Sequence, residues 1–179
     1  MPLPIAQQEA VLKAYCDLME ELKHRHDIVR LTVENAKRRV FVVSPMILGE
    51  VCFLQLRMMC ELIALSCLLI HGDIPAVRSK KVQKAYLADW IINQLERLHP
   101  SFYPQPGEQV HDDEGRVIEL KTKINPYLKK EELLRLYASC GGKLHRGNLR
   151  NLAASRQIDL AQITVWLGNY ALDVPGRRL

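Results

Sequence analysis

The strongest constraint on the fold comes from residues 51–70, a segment in which apolar side chains fall on nearly every side of a helix. Its length alone would suit a membrane span. However, the segment contains Arg57 and Glu61, and each would cost about 2.5 to 3.5 kcal/mol near the centre of a bilayer. We therefore predict a central helix over residues 45–71 that is packed on all sides by protein.

Helical patterns also precede this segment. Apolar residues recur at steps of three, four or seven over residues 11–36, which predicts a long amphipathic first helix. Arg25 or His26 interrupts the apolar stripe, so we expect the facing partner there to be polar or absent. Ser44 followed by Pro45 is the pattern of an N-cap with proline at the first helical position, and it predicts the start of the second helix.

Three more helices are predicted after the central segment. One covers residues 87–98 and ends before Pro100. The next covers residues 127–140, with Gly141 as its left-handed C-terminal stop. The last begins at Asp159 in a capping-box spacing.

Residues 100–126 are rich in proline and form an irregular insertion between helices. Within it, residues 112–115 are typical of a turn between two short strands. The pattern as a whole predicts an all-α fold, a single-domain helical bundle of about five helices over residues 1–179 with a short β-hairpin insertion.

Composition excludes several classes of protein. With 48% hydrophobic and 25% charged residues and a mean hydropathy of -0.10, the chain is neither disordered nor a polytopic membrane protein. Its five cysteines are odd in number, and three lie in the apolar segment, which argues against a disulfide framework. The start of the chain lacks the pattern of a signal peptide. We therefore expect a cytoplasmic protein without a membrane partner.

The formal net charge of +5 is concentrated in the last third of the chain. Residues 1–72 and 73–127 each contain eight basic and eight acidic residues, whereas residues 128–179 contain nine and four. No acidic residue occurs over residues 133–158. This stretch either attracts anions such as phosphates or is a solvated basic face that packs against acidic side chains elsewhere.

Glu50, Arg57 and Glu61 share one face of the predicted central helix. Burying three charges is costly unless all are paired, so the trio forms either a satisfied structural network or a site. Two carboxylates could perform acid/base chemistry. Because Arg57 between them would keep both ionised, we favour the structural polar network.

A glycine-rich basic turn begins near Cys140. Its glycines would let backbone amides face an anion, and Lys143, Arg146 and Arg150 supply positive charge for a phosphate. His145 is the only side chain there that titrates near neutral pH, so it is the candidate catalytic base. The alternative is an ordinary helix C-cap with a packed histidine. Cys140 beside His145 is also more often structural than nucleophilic.

The order of a long first helix, a buried second helix and a late helix leading into a His-containing turn resembles the HEPN superfamily. The resemblance implies a cytoplasmic, commonly dimeric bundle, often linked to RNA cleavage or nucleotide binding in bacterial defence and toxin systems. Activity in that family rests on an Arg, a polar neighbour and a His shortly afterwards. His145 followed by Gly147 matches the end of that motif, whereas residues 139–141 offer no Arg where one would stand.

Two functions follow as hypotheses. One is a HEPN-like protein that binds RNA or another phosphate ligand through the basic turn and, if it is an enzyme, acts as a metal-independent ribonuclease. The other is a non-catalytic interaction module that acts as a homo-oligomer or on a protein partner. Neither requires a cofactor or a metal. The sequence leaves the substrate, the partner, the pathway and the oligomeric state open.

Overall fold

A computed structural model describes residues 4–40, 43–105, 107–122, 127–145 and 160–169. Within these ranges the chain forms six helices and one antiparallel hairpin, which confirms the predicted all-α bundle with a hairpin insertion. The helices are α1 (Ile5–Lys37), α2 (Pro45–Ile70), α3 (Lys80–Gln83), α4 (Ala88–Leu98), α5 (Lys130–Leu144) and α6 (Leu160–Asn169). The strands are β1 (Gly107–His111) and β2 (Val117–Thr122).

Helix α2 is the centre of the bundle, with α1, α4 and α5 packed against it and α6 lying mainly on α1. Its start is the predicted one, since the hydroxyl of Ser44 accepts a hydrogen bond from the Met46 amide at 3.3 Å. Side chains that are almost fully buried include Phe53, Leu56 and Met59 on α2 and Leu133 on α5. In the described part of the chain, only α2 is long and apolar enough to cross a membrane, and less than half of its most apolar window is buried.

The long first helix contacts α2 through polar as well as apolar groups. Arg25, which interrupts the apolar stripe, donates from Nη1 to Oε1 of Gln55 on α2 at 2.8 Å. The same guanidinium also pairs with Glu21 one turn earlier, at 2.5 Å. A polar partner therefore faces this interruption, as one of the two sequence-based alternatives predicted.

Helix α5 differs from its prediction at both ends. It begins at Lys130, where the carboxylate of Glu132 accepts a hydrogen bond from the Lys129 amide at 2.9 Å. It continues through Gly141 and ends at Leu144, so the predicted stop at Gly141 is wrong. Intrahelical hydrogen bonds extend over the glycines because neighbouring contacts with α2 hold this turn in place, as described below.

The hairpin forms where the turn residues predict it. Asp112 accepts hydrogen bonds from the amides of Glu114 and Arg116 at 3.0 and 2.8 Å. Gly115 has a φ of 78°, which is the left-handed conformation that glycine adopts without strain. A register shift occurs between Val110 and His111.

Candidate functional site

Arg57 and Glu61 form an ion pair on α2, with 3.3 Å between Nε and Oε1. Tyr137 on α5 completes a closed arrangement of three side chains. Its hydroxyl accepts from Nη2 of Arg57 at 2.7 Å and donates to Oε1 of Glu61 at 3.2 Å. The guanidinium also lies over the Tyr137 ring, 4.2 Å from its centroid. These contacts join α2 to α5 through polar groups.

This cluster is chemically satisfied rather than poised for acid/base work. The side chains of Arg57 and Glu61 are 24% and 18% exposed, so both charges are largely withdrawn from water. Burial, followed by the nearby charge of Glu61, raises the pKa of Tyr137, which keeps its phenol neutral and able to donate. The sequence did not identify Tyr137, because its position on the apolar face of α5 is also that of an ordinary core residue.

Glu50 does not join the cluster. It lies seven residues before Arg57, about 10.5 Å along the helix axis, and Arg57 is turned toward Tyr137. In the described part of the chain, no hydrogen bond or ion pair engages the half-buried side chain of Glu50. The predicted three-residue polar network therefore contains Arg57 and Glu61, with Tyr137 in place of Glu50.

The predicted basic turn is described only in part. Lys143 and His145 are exposed at the end of α5, while Arg146 and Arg150 lie outside the described residues. Gly141 belongs to the helix, and its carbonyl accepts from the His145 amide at 3.1 Å. A helix C-terminus presents carbonyl oxygens and partial negative charge. The expectation that backbone amides at Gly141 and its neighbour face an anion is therefore wrong for this turn.

Cys140 is not a nucleophile in this fold. It is fully buried, and burial raises the pKa of its thiol to about 12. Its side chain belongs to the buried core together with Cys60 of the central helix. The interpretation of Cys140 as structural fits its position.

One face of α2 remains exposed, although residues 51–70 are predicted to be packed on all sides. Ile47, Val51 and Leu54 are 40%, 38% and 45% exposed, and Met58 on the same face is half-buried. These four residues, which we call the α2 stripe, lie within about 60° of arc at about 100° per residue. The prediction of packing on all sides is wrong for this face, because α1, α4 and α5 occupy the other sides of the helix.

An apolar groove of about 900 Å³ lies between the first half of α1 and the end of α2. Its walls include Val11, Leu18 and Leu68, and Arg78 lies at its edge. The guanidinium of Arg78 is held there by donating from Nε to the Gly72 carbonyl at 2.9 Å. Across the described residues, no group of three His, Cys, Asp or Glu side chains is arranged to hold a metal ion.

Comparison with known proteins adds no relative: no protein-family model, no curated protein and no solved structure matches this chain. The resemblance to the HEPN superfamily therefore stays a prediction from the sequence. The α2 stripe, the Arg57 cluster and the end of α5 are the features from which function can be argued.

Proposed function

We propose that this protein is a non-catalytic helical interaction module that acts by forming a homodimer through the α2 stripe. The single observation behind the proposal is the exposure of Ile47, Val51 and Leu54 in the first half of the long apolar helix α2. Contiguous exposed apolar side chains mark interaction surfaces, since burying them gains about 25 cal/mol per Å².

Helix α1 widens this surface. Ile28 is 44% exposed, and it follows Arg25 by about one turn, about 60° around the helix. The hydrogen bond from Arg25 to Gln55 brings this side of α1 next to α2. An exposed apolar residue of the neighbouring helix thus lies on the side of α1 that borders α2 and extends the apolar surface.

The experiment is sedimentation equilibrium over a range of protein concentrations. We expect a dimer for the wild type and a monomer for Leu54→Lys, since association would carry the charge of the lysine out of water and into an apolar interface. The matched control is Val165→Lys on α6, which replaces a more exposed valine away from the stripe and should leave the dimer intact. Circular dichroism should show the same helix content for all three proteins.

A wild-type protein that remains monomeric at all concentrations would contradict this function. So would a dimer that Leu54→Lys leaves unchanged. Either result would show that the α2 stripe is not a dimer interface.

A second candidate function is binding of RNA or another phosphate ligand, and one observation favours it. The side chains of Lys143 and His145 are both exposed at the end of α5, within the stretch that contains no acidic residue. Arg146 and Arg150 follow directly in the sequence. In this proposal Lys143, Arg146 and Arg150 contact phosphates through their side chains alone.

The test is RNA binding measured as a function of salt concentration. Neutralising Lys143, Arg146 and Arg150 together should weaken binding and reduce the slope of log K against log salt by about two, at about 0.7 per lost contact with a single strand. The control removes three lysines on and beside α3, Lys80, Lys81 and Lys84, and should retain the slope. If RNA is also cleaved, His145→Ala should abolish cleavage and leave binding nearly intact.

A further inference from the structure

The spacing of the α2 stripe is that of a two-helix seam. Ile47, Val51, Leu54 and Met58 are separated by steps of four, three and four residues. This alternation is the heptad pattern that lets two helices pack side by side with their apolar residues interlocked. The stripe is therefore shaped to receive another helix.

The stripe also matches itself when one copy is reversed. If two α2 helices run antiparallel about a point between Cys52 and Phe53, Val51 lies opposite Leu54 of the second copy, and Ile47 lies opposite Met58 of the second copy. Both pairs are symmetric about the same point, so one two-fold axis satisfies the whole seam. Such an isologous interface closes on itself with two copies.

Two charges flank the seam on one side. Glu50 and Arg57 are a heptad apart and differ by about 20° around the helix, so both lie beside the stripe. Reversal of one copy places Arg57 of the second copy on the same side of the seam as Glu50 and about 3 Å from it along the helix axis, within side-chain reach, and the two-fold axis makes this contact twice. Glu50 is half-buried and has no hydrogen bond or ion pair among the described residues, which leaves its carboxylate available for the second copy.

Arg57 can keep its contacts within its own chain and also bind Glu50 of the second copy. Its Nε and Nη2 engage Glu61 and Tyr137, and these bonds hold the guanidinium in one position. About a quarter of its side chain (24%) remains exposed. An arginine has five N–H donors, and only some are used within the chain. The internal cluster therefore presents a preorganised cation at the edge of the seam.

A parallel arrangement fits less well. It would place beside Glu50 no arginine but Gln55 of the second copy, five residues further along the helix, and Gln55 is already bonded to Arg25. It would also bring the exposed Ile28 of α1 toward the charged flank of the second copy. In the antiparallel arrangement the two α1 helices lie on the same side of the seam, and apolar faces meet apolar faces.

We infer that the partner of the α2 stripe is a second copy of this chain, packed antiparallel about a two-fold axis, with Glu50 of each copy paired with Arg57 of the other. This inference rests on the homodimer proposed above. It specifies the direction and register of the helices and assigns Glu50 as the residue that selects them.

Disulfide cross-linking tests the direction. Cys16, the exposed native thiol, is first replaced by Ser, and Val51→Cys and Leu54→Cys are then prepared separately with distinguishable tags. When the two proteins are mixed and oxidised, the antiparallel seam should give the mixed 51–54 cross-link at least about tenfold faster than either like-with-like cross-link, since only that pair faces directly across. Predominant 51–51 or 54–54 products would overturn the antiparallel packing.

Charge reversal tests the register. We expect Glu50→Lys to raise the dimer dissociation constant by about tenfold or more, because the lysine would then face an arginine of the second copy. The control, Glu9→Lys, makes the same charge change at an exposed position on α1 outside the stripe and should leave the constant within about twofold. Equal effects of the two variants would overturn the Glu50 pairing.

These outcomes are separable from those of the proposed function. A wild-type monomer, or a dimer that Leu54→Lys does not dissociate, removes the dimer through the stripe and the present inference with it. A dimer that Leu54→Lys dissociates but that gives like-with-like cross-links retains the proposed function and overturns only the antiparallel seam.

Discussion

A Cβ atom at Gly141 would lie 3.0 Å from Nη1 of Arg57. This distance is shorter than an ordinary carbon–nitrogen contact. The guanidinium of Arg57 fits against α5 because Gly141 has no side chain. Arg57 is also held by Tyr137 and Glu61 and cannot move away without losing those bonds. Gly141 thus lies in the helix because of what packs against it.

Two adjacent glycines provide a matched test of this relationship. Gly142→Ala should stabilise the protein by about 0.5 to 1 kcal/mol, because alanine is the better helix former and nothing lies within 4 Å of the new methyl group. Gly141→Ala offers the same gain in propensity but forces Arg57 to shift. We expect it to be about 1 to 2 kcal/mol less stable than Gly142→Ala. Urea unfolding measures both, and equal stabilisation would show that Arg57 yields freely.

Local signals in the sequence predicted most of the fold. Ser44 and Pro45 marked the start of α2, Pro100 followed the end of α4, and residues 112–115 marked the hairpin turn, because caps, prolines and turns act over a few residues. The predicted end of α5 was wrong because it depends on a contact between residues that are distant in the sequence. Gly141 is a typical helix stop in isolation, and its actual role depends on Arg57, which lies far away in the sequence.

The candidate site was predicted less completely. The pairing of Arg57 with Glu61 follows from their spacing on one helix, and the structure contains it. Tyr137 joins them from another helix, and no local pattern in α5 marks that contact. The exposed face of α2 was also missed, because an apolar helix looks the same in sequence whether its last face is buried by its own chain or by a second one.

The Arg57 cluster predicts a particular pattern of stability. Arg57→Met should destabilise the protein by about 1 to 3 kcal/mol, since it leaves the carboxylate of Glu61 largely withdrawn from water without its partner. Adding Glu61→Leu should recover part of this loss, because the remaining side chains are then apolar. Denaturant unfolding in the monomeric Leu54→Lys background excludes any effect of association. If the double variant loses as much unfolding free energy as the two single variants together, the two charges are not coupled.

The five thiols should differ sharply in reactivity. Cys16 is exposed, whereas the other four are fully buried, and burial raises the pKa of Cys52 to about 11 and that of Cys67 to about 12. We expect one thiol to react quickly with a disulfide reagent in the native protein and all five to react in denaturant. Cys16→Ser should abolish the fast reaction. Rapid labelling of more than one thiol would contradict the packing of α2 and α5.

The contact between α1 and α6 predicts a pH dependence of stability. Burial lowers the pKa of His26 below its ordinary value of 6.5, an effect partly opposed by a hydrogen bond to the Leu167 backbone and by the charge of Asp27. Between the lowered pKa and 6.5, the unfolded chain binds more protons than the folded one, so stability rises with pH across this window and is lost as the pH falls through it.

The variant His26→Gln removes this pH-dependent contribution to the unfolding free energy. The difference in unfolding free energy between wild type and His26→Gln should therefore change in favour of the variant as the pH is lowered from about 7.5 to about 5. His24→Gln, which removes an exposed histidine from the same helix and leaves His26 in place, should retain the wild-type dependence. A difference between wild type and His26→Gln that stays constant over this range would show that His26 is not withdrawn from water beside α6.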